Sequence, residues 1–297
     1  MVNENWNELS GELASTKVLY HNDDYFEFLV QRVWKFTEPM RIVDFGCGFG
    51  YMGLKLLPLL PFGCKYVGID KAGKLLEKGK ELFAEAPFDY EFIESDIREV
   101  PLEDDSFDLA ISRAVLMHTP EPERAVSEMV RLVGGGGMVI ACEGNRNAHT
   151  AAFYIHETEE QETTPLDFFQ QMNKGIREQV GIDYNIGYKL PVLFKKAGLI
   201  NVQARTDDKV NVLLPPLAKP EDLRVFEAIC SEGMGEGKIT PERYNEKMKI
   251  LLKYGLSREE IEFELQREAD RDFGVNGKNW HTVYPGLMTW AWGSVVG

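Results

Sequence analysis

Arg41-Ile-Val-Asp-Phe-Gly-Cys-Gly-Phe-Gly50 decides how this chain is read: a short apolar run ends in an acid and then breaks into glycines at alternate positions. Gly46, Gly48 and Gly50 let the backbone turn sharply and approach a ligand closely, because a residue without Cβ tolerates positive φ. Asp44 puts a carboxylate where a pyrophosphate would be repelled and a cation or amine drawn in. The ligand this points to is a nucleoside carrying positive charge, not a dinucleotide.

Outward from that decapeptide, apolar stretches at residues 41–45, 65–69, 90–93, 107–111 and 138–142 alternate with helical patterns at 51–57, 72–84 and 121–133. Such alternation predicts a parallel sheet with helices on both faces. Gly134-Gly-Gly-Gly137 is expected to stop the last of those helices and lead into the fifth strand. Upstream, Asn22 or Asp23 can cap a helix reaching about Phe36, with Phe26, Leu29, Val33 and Trp34 among its apolar residues.

Over residues 145–187 the alternation stops, and polar residues interleave with Phe153, Tyr154, Phe168, Phe169, Tyr184 and others. A helix–strand unit returns at 190–197 and 199–205, punctuated by Gly198. Residues 219–272 read as helical: Thr240-Pro241 opens one helix, Gly255 closes it, and Ser257 with Glu260 has the spacing of a capping box. The tail at 280–294 reads as a closing strand. The expected divisions are an N-terminal helical cover (1–38), the ligand-binding half of the core (39–144), an insertion or lid (145–187), a continuation of the core (188–214), a helical insertion (215–275) and the final strand (276–297).

The 297 residues, 44% hydrophobic, allow one large domain or a domain with a cap. A net charge of −15 argues against nucleic acid as a partner, since that affinity rests on neutralising phosphates. No apolar run approaches the roughly 18 residues that span a bilayer, so no membrane insertion is expected. The polar N-terminus lacks the layout of a secretion signal. Cysteines at 47, 64, 142 and 230 show neither disulfide nor zinc spacing. The expectation is a soluble cytoplasmic protein with reduced thiols and no metal site. Oligomeric state is not legible.

Gly48-Phe-Gly-Tyr-Met-Gly53 also satisfies the G-x-G-x-x-G pattern, with Asp70 about 20 residues on, as a dinucleotide fingerprint asks. Against an NAD-dependent oxidoreductase stand Asp44 and the fact that Gly46, not Gly48, follows the strand directly. Asp70 closes the second strand, where a carboxylate can accept from both ribose hydroxyls; it can equally cap the following helix. Asp96, beside the apolar Ile97, follows the third strand and suits an adenine edge; a solvated loop acid is the plain alternative in a chain holding 48 acids. Three acids at successive strand ends are harder to assign to chance than one.

Val43-Asp-Phe-Gly-Cys-Gly-Phe-Gly50, Val67-Gly-Ile-Asp70, Glu94-Ser-Asp-Ile97, Phe107-Asp-Leu-Ala-Ile-Ser112 and Gly136-Gly-Met-Val-Ile-Ala141 resemble, in order and spacing, the motifs of class I S-adenosylmethionine-dependent methyltransferases. The resemblance covers roughly residues 40–143 and extends to 190–205. It implies a Rossmann-like α/β fold: a seven-stranded, mostly parallel sheet with an antiparallel last strand near 280–293, helices on both faces, and here helical insertions. It implies S-adenosyl-L-methionine as cofactor. Asp44 with Gly46, Cys47, Gly48 and Gly50 would hold its methionine end, Asp70 and the adjacent Lys71 its ribose side, and Asp96 with Ile97 its adenine. Arg113 and Ala114 would flank the transferred methyl group. Cys47 is read as a small filler. About 70 residues intervene where the family uses a short hairpin between its last two strands, which leaves the substrate class open.

Methyl transfer from a sulfonium needs alignment and exclusion of water more than acid–base help. If a base is used, His118 is the candidate, with helix-entry packing beside Thr119-Pro120 an equal alternative. His149 and His156 read as solvated loop positions. Arg113 can pair with the cofactor's carboxylate or with a surface acid. The aromatic residues of 145–188 can cover an apolar ligand or simply pack the insertion. The reading is a methyltransferase acting on a small-molecule acceptor. An NAD-dependent oxidoreductase and a non-catalytic S-adenosylmethionine-binding protein are its rivals.

Overall fold

The computed structural model describes residues 17–156, 166–234 and 237–297. Strands β1 (Arg41–Phe45), β2 (Lys65–Asp70), β3 (Asp89–Glu94), β4 (Phe107–Arg113), β5 (Val133–Gly144), β7 (Ile200–Asp207) and β10 (Met288–Ser294) form one seven-stranded sheet in the order β3-β2-β1-β4-β5-β10-β7. β10 is antiparallel to both β5 and β7, and the other pairs are parallel. Ile42 to Phe45 are all buried, as a central strand covered on two faces requires.

Alternate residues of β1 serve alternate layers. Val43 and Phe45 face a core completed by Met129 and Leu132 of α4 (Pro122–Leu132) and by Leu190 and Phe194 of α7 (Leu190–Lys196). Ile42 faces the other layer, built from Phe26 of α1 (Asp23–Phe28), Met52 and Leu56 of α2 (Tyr51–Leu56) and Phe83 of α3 (Gly73–Phe83). Asn22 caps α1 as expected, and a π-helical turn, Leu29–Trp34, continues it, packing Trp34 against Trp290 and Trp292.

Three differences from the sequence expectation stand out. Helix α4 ends at Leu132, and the four glycines lie within β5, which starts at Val133 in extended conformation and carries Gly136 at φ +87. The tail is two strands, not one: β9 (Thr282–Pro285) and β10 are split at Gly286, whose amide donates to the Lys209 carbonyl. β9 pairs with β6 (Tyr154–Ile155) and β8 (Val210–Leu213) in a separate antiparallel sheet, order β6-β9-β8, so residues 210–213 leave the core instead of continuing it.

The insertions are α5 (Arg146–Ala152), α6 (Leu166–Val180), α8 (Pro220–Ile229), α9 (Pro241–Lys253), α10 (Arg258–Arg271) and the short α11 (Phe273–Asn276). The Ser257–Glu260 capping box is formed on both sides. Phe168, Phe169 and Met172 pack α6 against α9 and α10, so packing is the fate of those aromatic residues. The first sixteen residues of the N-terminal cover lie outside the described residues. No helix among the described residues is long and apolar enough to cross a membrane.

Candidate active site

The carboxyl ends of β1 to β4 surround a cavity of about 180 Å³ lined by Asp44, Gly46, Cys47, Gly48, Asp70, Lys71, Asp96, Ile97, Arg113, Ala114 and His118. A wider, more open depression lies at the opposite edge, beside Arg41, Lys65 and Asp108. Open α/β sheets bind ligands beyond the carboxyl ends of their strands, where the loops diverge, so the first cavity is the candidate. Of the loop residues read from sequence, Gly50 alone does not line it.

Each glycine of the loop has its own reason. Gly46 has φ +68, and a Cβ there would sit 2.5 Å from both methyl carbons of Val115. Gly48 has φ +56 but faces open space, with Leu75 at 3.9 Å the nearest neighbour. Gly50 (φ +80) starts α2, and its missing Cβ makes room for the Phe83 ring. It is a packing position.

Three carboxylates mark three strand ends, each differently held. Asp44 is 1% exposed and accepts the Tyr66 hydroxyl at 2.7 Å. Burial, with Asp70 nearby, pushes its carboxyl up to about 7 despite that bond and the Lys17 charge. Asp70 accepts from the amides of Gly48 (2.8 Å) and Ala72 (2.9 Å), tying the glycine loop to α3, and burial raises its pKa. Asp96 takes the Arg98 guanidinium in a two-pronged bond, 3.0 Å from Nε and 2.6 Å from Nη2, which holds it down at about 2. Arg98 also lines the cavity. Burial drives the Cys47 thiol well above its ordinary pKa, so it is a filler and not a nucleophile.

The N-terminal cover brings in a residue that the sequence did not single out. Lys17 reaches in from the N-terminal segment and sets its ammonium 3.7 Å above the Phe49 ring and 4.0 Å from that of Tyr51. Burial and the Arg113 charge bring its pKa down to about 7. Arg113, at the end of β4, has buried Nε and Nη2 atoms without a hydrogen-bond partner and lies 5.7 Å from the Tyr51 ring. His21, 3.2 Å from Asp23, is pushed down to about 3 by burial and Arg113. Nothing in the local sequence marks Lys17, because it acts by folding back over a loop distant in the chain.

Glu143 was also missed, although it follows the same pattern as the other acids, a carboxylate at a strand end. Fully buried, it accepts the backbone N–H groups of Val115 (3.1 Å), Leu116 (2.9 Å) and Met117 (3.1 Å). Those bonds fix the turn after Ala114, itself at φ +55, and so position His118. Burial raises Glu143 to about 7, opposed by the three amides and by Arg113. His118 stands edge-on to Tyr184 at 5.5 Å and is lowered to about 4 by burial and by Arg146 and Lys71, so it is neutral near pH 7.

Residues 43–141 match the methyltransferase domain family model. With the strand order and the three acid-tipped strands, that decides the identity of this part of the chain. Residues 43–141 form a class I S-adenosylmethionine-dependent methyltransferase domain. The domain is 32% identical over 106 residues to demethylmenaquinone methyltransferase of Desulfitobacterium hafniense (strain Y51), 35% of this chain and 42% of that protein. It is 32% identical over 102 residues to phosphatidylethanolamine N-methyltransferase of Cereibacter sphaeroides, 34% of this chain and 48% of that protein. The chain therefore spans about half the length of the curated relatives it matches. The YcgJ protein from Bacillus subtilis shares the fold at a TM-score of 0.52 and 14% identity, over 92% of this chain and 99% of that one.

The cavity of the methyltransferase domain fits S-adenosylmethionine on its own evidence of charge. The unpartnered Nε and Nη2 of Arg113 suit the amino-acid carboxylate, and the Phe49–Tyr51 pair above Asp44 already accommodates an ammonium. Asp70 keeps lone pairs for ribose hydroxyls beyond its two amide bonds. Among the described residues no group of three or more histidines, cysteines and acids could hold a metal ion.

Proposed function

We propose that the protein transfers the methyl group of S-adenosylmethionine to a small organic acceptor by in-line displacement. The observation that carries this reading is the convergence of Asp44, Asp70, Asp96 and the unpartnered Arg113 on one cavity at the carboxyl edge of the sheet. The cofactor supplies an activated methyl group on a good leaving group. Asp70 orients the ribose, Ile97 walls the adenine, and Asp96 with Arg98 frames its edge. Arg113 holds the carboxylate, while Asp44 and the aromatic pair favour positive charge. Lys17 and Tyr51, with His21 packed on Tyr51, cover the cavity and exclude water, and positioning of this kind contributes on the order of 7–11 kcal/mol. His118, neutral and fixed by the Glu143-bound turn, accepts a proton where the acceptor must lose one.

The deciding measurement is calorimetry with S-adenosylmethionine, S-adenosylhomocysteine and NAD. Binding of the two sulfur nucleosides, weakened by Asp44→Ala, is expected. Stabilisation by NAD alone overturns the proposal, and S-adenosylhomocysteine binding with no turnover across acceptors favours a non-catalytic binder.

A further inference from the structure

Next to the cavity, α5, the small sheet and the N-terminal turn gather polar groups that the reading above does not use. The hydroxyls of Tyr20 and Tyr284 are 3.0 Å apart. His149 stands edge-on to Tyr284 at 4.4 Å and lies 5.9 Å from Tyr20. Glu232 also hydrogen-bonds with Tyr20. Arg146 lays its guanidinium 5.0 Å over the Tyr184 ring, the same ring that His118 meets edge-on. Tyr184 thus stands between Arg146 and His118, which lines the cavity.

Arg146 is the unusual member. Apart from Arg113 in the cavity, several arginines of low exposure are clamped: Arg131 by Glu128 and Asp104, Arg267 by Glu264, Arg98 by Asp96. Among the described residues Arg146 has no such carboxylate, although the chain carries 48 acids against 33 lysines and arginines. The acid whose charge it feels, Glu232, is engaged by Tyr20. A guanidinium stacked on a ring and not clamped by a carboxylate keeps its planar fork available, and that fork matches an oxyanion. His149 lies three residues on along α5, hence on the same face. Burial and the Arg146 charge keep it neutral, with one ring N–H to donate.

We propose that Arg146 and His149 form an acceptor subsite that holds a carboxylate or phosphate group of the methyl acceptor, with the nucleophilic atom turned toward His118 across Tyr184. The subsite rests on the methyltransferase reading. It makes the acceptor a small anion, and it gives an acidic protein a local reason to attract one.

The test uses the whole chain saturated with S-adenosylhomocysteine, with benzoate, phenyl phosphate and neutral benzyl alcohol as probes in calorimetry. At least one anion is expected to bind about tenfold tighter than benzyl alcohol and to shift the ring protons of His118 and His149 in NMR spectra. Preference between the two anions identifies carboxylate or phosphate. Arg146→Gln should abolish the preference while leaving S-adenosylhomocysteine affinity intact, Arg146→Lys should keep part of it, and His149→Gln should weaken it. Equal binding of all three probes, no binding of any, or an unchanged preference in Arg146→Gln overturns the subsite. Failure to bind S-adenosylhomocysteine would instead strike the methyltransferase reading beneath it.

Discussion

At the tips of β1, β2 and β3 the cavity is lined by carboxylates, each held by hydrogen bonds: Asp44 by Tyr66, Asp70 by two amides, Asp96 by Arg98. At the tips of β4 and β5 it is bounded by Arg113 and His118, which stand beside the Tyr51 and Tyr184 rings, with Arg146 on Tyr184 behind them. The first side is finished and the second is not. A satisfied acid edge reads neutral hydroxyls and amines with little rearrangement. On the basic edge two buried guanidinium nitrogens of Arg113 lack a hydrogen-bond partner, and Tyr184 of the 145–187 insertion packs on His118 there. On the proposed reading the cofactor end is set by the sheet, and the acceptor end by what is added to it.

The strongest way to break this contrast is to remove the buried acid behind the basic side. Glu143→Ala strands three buried N–H groups, and denaturant unfolding should register a loss of about 3–5 kcal/mol. A loss below about 1 kcal/mol would mean that the turn stands without it. Next, Asp70→Ala should weaken S-adenosylhomocysteine on the order of 100-fold by calorimetry, since a charged acceptor for two hydroxyls disappears; a change under about threefold would remove the acid edge from nucleoside reading. The glycines sharpen the same side: Gly46→Ala meets Val115 and should cost about 2–3 kcal/mol of stability, Gly48→Ala only about 1.

The histidines test the basic side through pH. His149 is lowered to about 4, so between pH 6.5 and about 4 the unfolded chain binds a proton that the folded chain refuses. That contribution is full above pH 6.5 and is lost as pH falls through this window, so thermal midpoints of wild type and His149→Gln should converge on acidification. Asp44 and Glu143, raised to about 7, act oppositely: their stabilising proton is lost as pH rises toward 7. Only the wild type-minus-variant difference at each pH isolates the imidazole. The smallest effect expected is from Arg98→Ala, which frees the Asp96 carboxyl from about 2 toward its ordinary value and should alter cofactor affinity within about threefold.

The acid side was legible because its signals are local: an acid closes a buried strand, and the residues after it turn on glycine. Glu143 obeys that rule and could have been found by extending the fifth strand by one residue. Lys17 and Arg146 give no such signal, since their roles come from contacts with distant loops. The small sheet was illegible for a related reason. Its strands are two to four residues long, and β8 pairs with β9 across some 70 residues of helix, leaving too little periodicity to read.

The position of β10 has a consequence for how the molecule comes to exist. Residues 288–294 lie between β5 and β7, and Val295 exchanges two further backbone bonds with Gly136 and Gly137. During synthesis β5 and β7 therefore emerge long before the strand that joins them, leaving two open edges. The Rossmann half can collapse early, but the sheet closes only once residues 288–294 have been made, so deleting that strand should leave an aggregation-prone chain.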